Sequence, residues 1–493
     1  MLHPVFKAYE GAISTIGFSP IGTVINLDSV ETGDVGKLGI GMECLDRDLW
    51  EFEPVLDEIK ALGIGIARIQ SGWQKTERIE GVYDFEWLDK IVDRLSEKGI
   101  EVLMCLCYGN KLYCDDPENY PNIQHGGVGH FPINTERERE AWTSYVRSTV
   151  LHFKDRVRYF EIWNEPDVKT FLHTQEIWCE TYMDFVRLTS PVIRKAAPEA
   201  EILSCTALLE NGERLVDRGV ADYCDIHSYH NYSIWPETRF GEQISALSYI
   251  AEKAPSLKIW RGEAGFPSYN DPRSKGALSG RYVSEIMQAK FILRHITNDM
   301  ANDYLDKTFY FHAYDFEHFM KIVRYHYGVL RHEEPRRKPS YYALQLLSHL
   351  FDGKVKSDSS QSPSNAMSFI VNSERSGENE LSETESLSLR FHTFNNDGDI
   401  FFAYYLPLEI TDETFAKGVH LTIPRVEGLK NPVILDPLTR KIYKISDRRK
   451  FFAPVTDYPM FIVDAEAIGG ISSIEESYVA TTPEDRIEQF YEE

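Results

Sequence analysis

The feature that most limits the fold of this chain is a regular alternation of apolar strand-like segments and amphipathic helix-like segments over residues 37–353. One helix pattern, 88–95, repeats apolar residues at helical spacing and ends at Gly99, after which a nearly continuous apolar strand begins. Buried parallel strands have this composition. The predicted strands are 38–43, 64–70, 100–108, one within 159–166, 202–208, 223–229, 257–261 and 309–314.

This alternation predicts an α/β fold, an eight-stranded (β/α)8 TIM barrel over residues 38–353. An open doubly wound sheet is the competing fold, but the chain has no Gly-x-Gly-x-x-Gly or other phosphate-binding loop. At 493 residues the chain exceeds the size at which one core keeps growing, so a second domain is expected.

The second domain is predicted to be an accessory C-terminal β-sandwich over residues 354–470, because short strands broken by Asn-Asp-Gly and Pro turns replace the alternation there. Residues 1–37 form an N-terminal segment whose strand-like pieces, 13–18 and 23–27, could join that sandwich. Residues 471–493 are predicted to be an acidic surface tail.

Charge and cysteine content narrow the range of partners. A formal net charge of −24 argues against binding to nucleic acid or to an anionic membrane surface. The seven cysteines lack Cys-x-x-Cys spacing and are expected to be reduced thiols. Neither a signal-like leader nor an apolar run of about 20 residues is present, so cytoplasmic residence is the simplest expectation, although a chain that had lost its leader would look the same.

Two glutamates are predicted to lie at the carboxyl ends of strands, where barrel enzymes carry their chemistry. Glu165 follows an aromatic strand and precedes Pro166, which cannot continue a strand ladder. Glu263 lies between Gly262 and Gly265 at the end of a second strand. The two glutamates are 98 residues apart, which is enough chain for three strand–helix units, so they are predicted to end strands four and seven.

Several motifs carry a family resemblance. The segment Phe-Glu-Ile-Trp-Asn-Glu-Pro at 160–166 resembles the acid/base motif of clan A retaining glycoside hydrolases. The segment 225–232 resembles their sixth strand, and Trp-Arg-Gly-Glu at 260–263 occupies the place of the nucleophile. The chain is most similar to glycoside hydrolase family 39, whose members include β-xylosidases, through Tyr-Gly-Val-Leu at 327–330 and Lys-Pro-Ser-Tyr at 338–341.

The resemblance covers residues 38–351 and has two departures. Gly262 stands where the family usually has Thr before the nucleophile, and strand eight lacks the Trp that many clan members place under the sugar. These departures concern the identity of the substrate rather than the pair of carboxylates.

The resemblance implies a retaining glycoside hydrolase that cleaves β-glycosidic bonds through a covalent glycosyl-enzyme intermediate. Glu165 would be the acid and then the base, with its pKa raised by an ionised Glu263, and Glu263 would be the nucleophile. The two carboxyl groups would stand roughly 5–5.5 Å apart. No metal or cofactor is expected, and the implied partner is a β-linked oligosaccharide or glycoside. A homo-oligomer stays open, as do the sugar and the choice between chain-end and internal cleavage.

Further residues have implied binding roles. Tyr232 and Arg68 would hold Glu263, Asn164 would bind the sugar 2-hydroxyl, and His230 would shape the subsite of the reacting sugar. A shifted register would instead turn His227 and Tyr229 inward, and Arg68 could pair with a structural carboxylate. The residues near predicted strand ends that could contact sugar, or could only pack, are Trp73, Tyr108, Asn110, His312 and Tyr314.

Two alternatives to hydrolysis remain. A transglycosylase would use the same intermediate and intercept it with a sugar hydroxyl. A carbohydrate-binding barrel would have lost catalysis, although both glutamates argue against this. In the long loop 109–135, His125 and His130 are interpreted as solvated rather than metal-binding, since no carboxylate or Cys completes a ligand pattern.

Overall fold

The computed structural model describes residues 13–14, 16–31, 36–114, 131–169, 171, 177–233, 235–237, 240–268, 283–319, 322–334, 336–353, 355–358, 370–371, 388–413, 415–423, 426 and 428–475. His125 and His130 lie outside these ranges. Within the ranges, no helix combines the length and the apolar composition that crossing a lipid bilayer requires.

The described part of the chain alternates strands and helices before it becomes almost entirely β-structure. The strands are β1 (Pro20–Val24), β2 (Leu38–Gly41), β3 (Ile66–Gln70), β4 (Glu101–Leu106), β5 (Tyr159–Ile162), β6 (Glu201–Thr206), β7 (Ile226–Tyr229), β8 (Lys258–Ala264), β9 (Lys307–Tyr310), β10 (Phe316–Phe319), β11 (Ile322–Tyr325), β12 (Val355–Ser357), β13 (Ile370–Val371), β14 (Arg390–Asn396), β15 (Asp399–Tyr405), β16 (Ala416–Thr422), β17 (Pro432–Asp436), β18 (Lys441–Lys444), β19 (Phe451–Thr456), β20 (Met460–Asp464) and β21 (Ser472–Ile474). The α-helices are Leu56–Ala61, Trp73–Thr76, Glu86–Glu97, Glu136–Phe153, Trp178–Ala196, Leu209–Val216, Phe240–Lys253, Glu285–Met300 and Pro339–Leu350, with 3₁₀ turns at Leu45–Arg47, Glu53–Val55, Lys111–Tyr113 and Val220–Asp222.

The strands β2 to β9 close into a parallel barrel, with β2 paired to β9. Each of the eight predicted strands corresponds to one of them, so the predicted (β/α)8 fold is confirmed. Glu165 follows β5, the fourth barrel strand, and Glu263 lies at the end of β8, the seventh. The strand–helix alternation was sufficient to count the strands because each parallel pair needs a crossover segment.

The remaining strands are antiparallel; β10 and β11 pair with each other as a hairpin, and the others form the predicted β-sandwich. One sheet has the order β12-β14-β15-β20-β17-β18-β1-β21, and a second has the order β13-β16-β19. The amino-terminal β1 pairs with β18 and β21 in the larger sheet. The strand expected at 13–18 is wrong, since Ile13 and Ser14 are helical. The sequence analysis predicted no strand at β12, β19 or β21, and β21 lies within residues 471–493, which were interpreted as a surface tail.

The chain divides into two compact units that do not follow chain order. One comprises Gly33–Glu285 and Tyr304–Tyr341, and the other comprises Met1–Thr32, Ile286–Asp303 and Tyr342–Glu493. The sequence-based limits were continuous, whereas the second unit takes up most of the helix Glu285–Met300 although that helix lies between the seventh and eighth barrel strands.

Buried cations explain why that helix belongs to the second unit. Lys290 Nζ donates to Thr411 O at 3.0 Å, to Glu413 O at 2.7 Å and to Asp457 Oδ2 at 2.8 Å. Arg294, also fully buried, donates to the carbonyl of Leu408 at 2.6 Å. A buried ammonium requires such partners because isolation from water would cost several kcal/mol, on the order of the ionic desolvation penalty.

The barrel interior consists of an apolar layer below a polar layer. The apolar cluster contains Ile66, Leu103, Tyr159, Leu203, Ile226, Trp260 and Phe309. Because alternate residues of a strand point to the same side, the residues two positions further along form the next layer. They include Arg68, Cys105, Glu161, Cys205, Ser228 and Gly262, of which the side-chain-bearing members are 0% exposed. The charged side chains of this second layer, those of Arg68 and Glu161, lie beneath the strand-tip glutamates.

Candidate active site

Glu165 and Glu263 meet at the carboxyl end of the barrel, on either side of His230. His230 Nδ1 lies 3.0 Å from Glu165 Oε1 and 3.5 Å from Glu263 Oε2. One carboxylate oxygen of each glutamate and this ring nitrogen all lie within 4.8 Å of one another. Each glutamate side chain is 13% exposed, so both remain open to a small ligand. The structure thus brings the two predicted glutamates into one site.

The turn after β5 directs Glu165 into the site. Trp163 has φ +65° and Glu165 has φ +46°, both in the left-handed region that costs a non-glycine residue on the order of 1–3 kcal/mol. Packing and a hydrogen bond hold this turn in place, since the Trp163 ring is fully buried and its Nε1 donates to Phe171 O at 3.0 Å. Pro166 follows at once and prevents the chain from continuing as a strand.

The environment of Glu165 favours its protonated form. The pKa of Glu165 is raised to about 8; burial is the largest cause, the nearby charge of Asp167 acts in the same direction, and Arg68 opposes both effects. The sequence argument attributed a raised pKa to the charge of Glu263. The structure corrects that cause, because desolvation is the largest contribution and Asp167 is the largest charge contribution.

Arg68 is the centre of the ionic layer and has no exposed surface. Its Nη1 donates to Glu43 Oε1 at 2.7 Å and to Glu263 Oε2 at 3.1 Å. Its Nε and Nη2 donate to Glu161 Oε2 at 2.9 and 2.6 Å, and Nη2 also donates to Asn164 Oδ1 at 2.8 Å. The sequence analysis expected Arg68 either to hold Glu263 or to pair with a structural carboxylate. In the structure, Arg68 makes both kinds of contact.

Glu43 and Glu161 are site residues that the sequence reasoning missed. Burial raises the pKa of Glu43 to about 8, although Arg68 acts to lower it. The pKa of Glu161 is lowered, because Arg68 and its hydrogen bonds outweigh a large effect of burial in the opposite direction. A signal was present for Glu161, which is the only charged residue in the otherwise apolar strand β5. For Glu43, the signal was an acid two residues beyond the end of the first barrel strand.

Glu263 accepts hydrogen bonds on both of its oxygens. The Tyr232 hydroxyl donates to Oε1 at 2.5 Å, and Arg68 donates to Oε2. Burial raises the pKa of Glu263, a neighbouring Glu165 charge raises it further, and His230, Arg68 and Tyr232 all act to lower it. The pKa of Glu263 is raised overall, and these donors limit the rise.

Gly262 gives His230 and Ser228 the space to lie beside Glu263. A Cβ at position 262 would stand 2.0 Å from Ser228 Oγ and 3.1 Å from His230 Nε2. A Thr, which the resemblance leads one to expect here, does not fit without moving those side chains. The departure from the family pattern thus has a steric reason in this chain.

The register at the end of β7 is the one that turns His230 and Tyr232 towards the glutamates. His227 is fully buried, and its ring contacts Ser204 Oγ at 3.0 Å and Thr206 Oγ1 at 3.3 Å. The ring of Tyr229, also fully buried, lies beneath the guanidinium of Arg261.

Five other predicted residues surround this cluster or pack near it. Trp73 has no exposed surface; its ring stacks on Tyr113 and Tyr145. Its Nε1 donates to Glu77 Oε2 at 2.6 Å, so Trp73 is a packing residue and not a sugar-stacking surface. Asn110 caps the turn Lys111–Tyr113 and donates from Nδ2 to Glu77 O, which gives it a structural role.

Tyr108 and His312 lie nearer the ionic layer. The Tyr108 hydroxyl accepts from Gln70 Nε2 at 3.1 Å, and its ring borders a cavity of about 580 Å³ that Arg47 and Lys75 also line. His312 is fully buried, with Nε2 3.2 Å from Glu43 O, and burial lowers its pKa to about 3. Tyr314 stacks on Trp50 at a centroid distance of 5.5 Å.

Some side chains of the site carry nitrogen, oxygen or sulfur atoms that could bind a metal ion. Within the described ranges, Glu165, His230 and Glu263 form one such group, and Glu161, Cys205 and His230 form another. Arg68 and its hydrogen bonds already provide positive charge beside both groups. The arrangement therefore fits acid–base and nucleophilic chemistry by the carboxylates themselves.

The fold and the site define a class. A (β/α)8 barrel with a pair of partly buried carboxylates at the carboxyl ends of its strands is typical of glycoside hydrolases. The model of the glycosyl hydrolases family 39 matches residues 59–387, and the chain belongs to this family.

Solved structures agree with the fold. A family 39 glycoside hydrolase from Bacteroides cellulosilyticus WH2 has a TM-score of 0.61 at 17% identity, over 87% of this chain and 80% of that one. A monomeric β-xylosidase from Caulobacter crescentus CB15 has a TM-score of 0.55 at 14% identity, over 90% and 97%. A family 39 enzyme from Xanthomonas axonopodis pv. citri has a TM-score of 0.56 at 15% identity, over 91% and 98%.

A curated relative matches a shorter stretch. The β-galactosidase BgaA of Clostridium cellulovorans is 40% identical over 60 residues, which is 12% of this chain. The match spans only 9% of the length of that relative.

Proposed function

We propose that this chain is a retaining β-glycoside hydrolase that works by double displacement, with Glu263 as the nucleophile and Glu165 as the acid/base. The observation that carries the proposal is the shared contact with His230, which holds carboxylate oxygens of the two glutamates within 4.8 Å of one another. An inverting enzyme would need roughly 6.5–9.5 Å between the carboxyl groups to admit a water between them and the sugar.

In the first step, a Glu263 oxygen bonds to the anomeric carbon while the glycosidic C–O bond breaks. The leaving oxygen takes the proton of Glu165, whose pKa of about 8 keeps it protonated at neutral pH. In the second step, Glu165, now ionised, takes a proton from water. The water oxygen bonds to the anomeric carbon, and Glu263 leaves as a carboxylate.

The neighbouring donors would control the charge on the nucleophile. Arg68 and Tyr232 hold Glu263 as an anion before attack and receive it again when the ester breaks. Tyr232 also fixes the orientation of the carboxylate, since its hydroxyl binds the oxygen that Arg68 does not contact.

Asn164 is proposed to bind the sugar 2-hydroxyl. Its Oδ1 accepts from Arg68 Nη2, so the amide group presents its Nδ2 as a donor to the site. A contact with the 2-hydroxyl accelerates cleavage only to the extent that it strengthens in the transition state.

A β-xyloside is the first substrate that we propose. Two similar structures are described as family 39 enzymes and another as a β-xylosidase, while the short curated match is a β-galactosidase. Barrels of this fold accept many sugars, so aryl β-glucoside and β-galactoside belong in the same screen. Adding an acceptor sugar would reveal transglycosylation, which shares the intermediate.

The decisive experiment replaces Glu263 by Ala. With an aryl β-glycoside, turnover is expected to fall by roughly four orders of magnitude or more, because the covalent intermediate cannot form. Azide fits the space left by the carboxylate and is expected to restore turnover, giving a glycosyl azide of inverted anomeric configuration.

The control is Glu86→Ala, which removes an exposed glutamate at the start of a barrel helix and is expected to keep full activity. Full activity of the Glu263→Ala variant would end the assignment of the nucleophile. Glycan binding without turnover by the parent chain would favour the non-catalytic alternative.

A further inference from the structure

A second group of ionisable side chains lies on the hairpin that follows the eighth barrel strand. The hairpin is formed by β10 and β11, which pair Phe316 with Tyr325. Glu317 Oε1 lies 2.9 Å from His326 Nε2 and 3.6 Å from His332 Nδ1. One ligand atom from each of these three residues lies within 4.8 Å of the others. None of the three residues takes part in the proposed hydrolysis.

The spacing of these atoms is close to that around a bound ion. Zinc binds imidazole nitrogen and carboxylate oxygen at about 2.0–2.2 Å, so neighbouring ligand atoms of a tetrahedral site stand roughly 3.3 Å apart. The two contacts of Glu317 lie on either side of that value. Small side-chain rotations would therefore complete the geometry.

The outer contact of His332 also matches that of a metal ligand, which usually directs its second ring nitrogen at a carboxylate. His332 Nε2 lies 3.5 Å from Glu333 Oε1, while Nδ1 faces Glu317.

We infer that Glu317, His326 and His332 form a binding site for one zinc ion, with water as the fourth ligand. Two imidazoles and one carboxylate are a ligand set that suits zinc. The three side chains are 32%, 18% and 34% exposed, so an ion and its water can enter from solvent.

The site would join the hairpin to the segment that follows it. His332 lies beyond β11, whereas Glu317 and His326 lie on and beside the hairpin strands. The Tyr325 ring lies 4.6 Å from that of Tyr327, and Tyr327 lies 6.1 Å from Tyr232, the donor to Glu263. Zinc would thus restrain a hairpin whose aromatic residues pack behind the catalytic cluster.

The test is a titration of the EDTA-stripped full chain with zinc sulfate, followed by calorimetry and by thermal unfolding. We expect one zinc per chain and a melting temperature raised by a few degrees, since an ion that binds only the folded state stabilises it. Glu317→Gln and His332→Asn are each expected to weaken binding at least tenfold. The matched control is His152→Asn, which removes a surface His–Asp pair elsewhere on the barrel and leaves zinc affinity unchanged.

Both side chains are about one-third exposed, so the two variants are expected to fold as the parent does. Their melting temperatures in EDTA check this. Absence of zinc binding by the folded parent would overturn the inference. Unchanged affinity in both variants would also overturn it, because the ion would then lie elsewhere, for example between Glu165 and Glu263. Neither result would bear on hydrolysis, which the azide experiment tests separately.

Discussion

At the scale of the residue, Arg68 sets the protonation of the site. One guanidinium contacts three carboxylates, those of the buried Glu43 and Glu161 and that of Glu263, which is 13% exposed. One positive charge cannot neutralise three negative charges, so a buried carboxyl group that lacks a second cation tends to keep its proton. The raised pKa of Glu43, to about 8, agrees with this.

The charge of Asp167 gives a prediction for the pH dependence of activity. Replacing Asp167 by Asn removes a negative charge that raises the pKa of Glu165, so that pKa should fall. Glu165 must be protonated to donate, and activity is lost as pH rises through its pKa. The alkaline limb of kcat/KM, expected near pH 8 in the parent, should therefore move to lower pH.

Asp217→Asn is the control, because Asp217 is a hydrogen-bonded surface aspartate elsewhere on the barrel. Its pH profile should match that of the parent. An alkaline limb that stays in place or moves upward in Asp167→Asn would contradict the role of Glu165 as the acid.

At the scale of the element, the two strands that carry the proposed catalytic glutamates position them by different means. The end of β5 uses a strained turn fixed by the buried ring of Trp163. The end of β8 uses a glycine, whose missing side chain admits His230 and Ser228. At the end of β8, the absence of a side chain at position 262 therefore decides whether His230 and Ser228 fit beside Glu263.

Gly262→Ala tests this steric argument. The added Cβ would overlap Ser228 Oγ and press on His230, which contacts both glutamates. We expect kcat/KM to fall by roughly tenfold to a hundredfold, as displacements of about 1 Å near reacting groups do. Combining the change with Ser228→Ala removes the overlapping oxygen and should restore part of the activity.

The control is Gly428→Ala, because a Cβ there meets nothing within 4 Å. It should leave kinetics and thermal unfolding unchanged. Parent-like kcat/KM for Gly262→Ala would show that the site tolerates the added methyl group.

At the scale of the whole molecule, chain order and structural organisation differ. The helix Glu285–Met300 connects two barrel strands, yet most of it belongs to the unit that contains the β-sandwich. Its buried Lys290 and Arg294 bind carbonyl and carboxylate groups of that unit. Such contacts make the helix part of the sandwich unit's core.

Lys290→Met should destabilise this unit. The change leaves the 1%-exposed Asp457 without its closest cation, and breaking a buried ion pair by removing one partner costs roughly 3–5 kcal/mol. Urea unfolding followed by circular dichroism should show the loss as a lower midpoint. The exposed Lys253→Met is the control, and an equal effect of the two changes would contradict the importance of the buried pair.

The site was predicted in part. The strand-tip glutamates could be placed from local motifs, because an abrupt strand end determines where a side chain points. The family resemblance, rather than strand periodicity, implied the roles of Asn164, Arg68, His230 and Tyr232. Glu43 and Glu161 could not be assigned to it, because their role depends on meeting Arg68 across the barrel. Trp73 and Asn110 lie near strand ends, but packing against Glu77 and the tyrosines gives them structural roles.

By itself, the sequence determined the number and type of the barrel strands and the positions of the two glutamates, because periodicity and turn residues act over a few neighbouring positions. Only the tertiary structure decided which charges share Arg68, what raises the pKa of Glu165, and which unit holds the helix Glu285–Met300. Those properties depend on burial and on distances between residues far apart in the chain, and neither quantity is local.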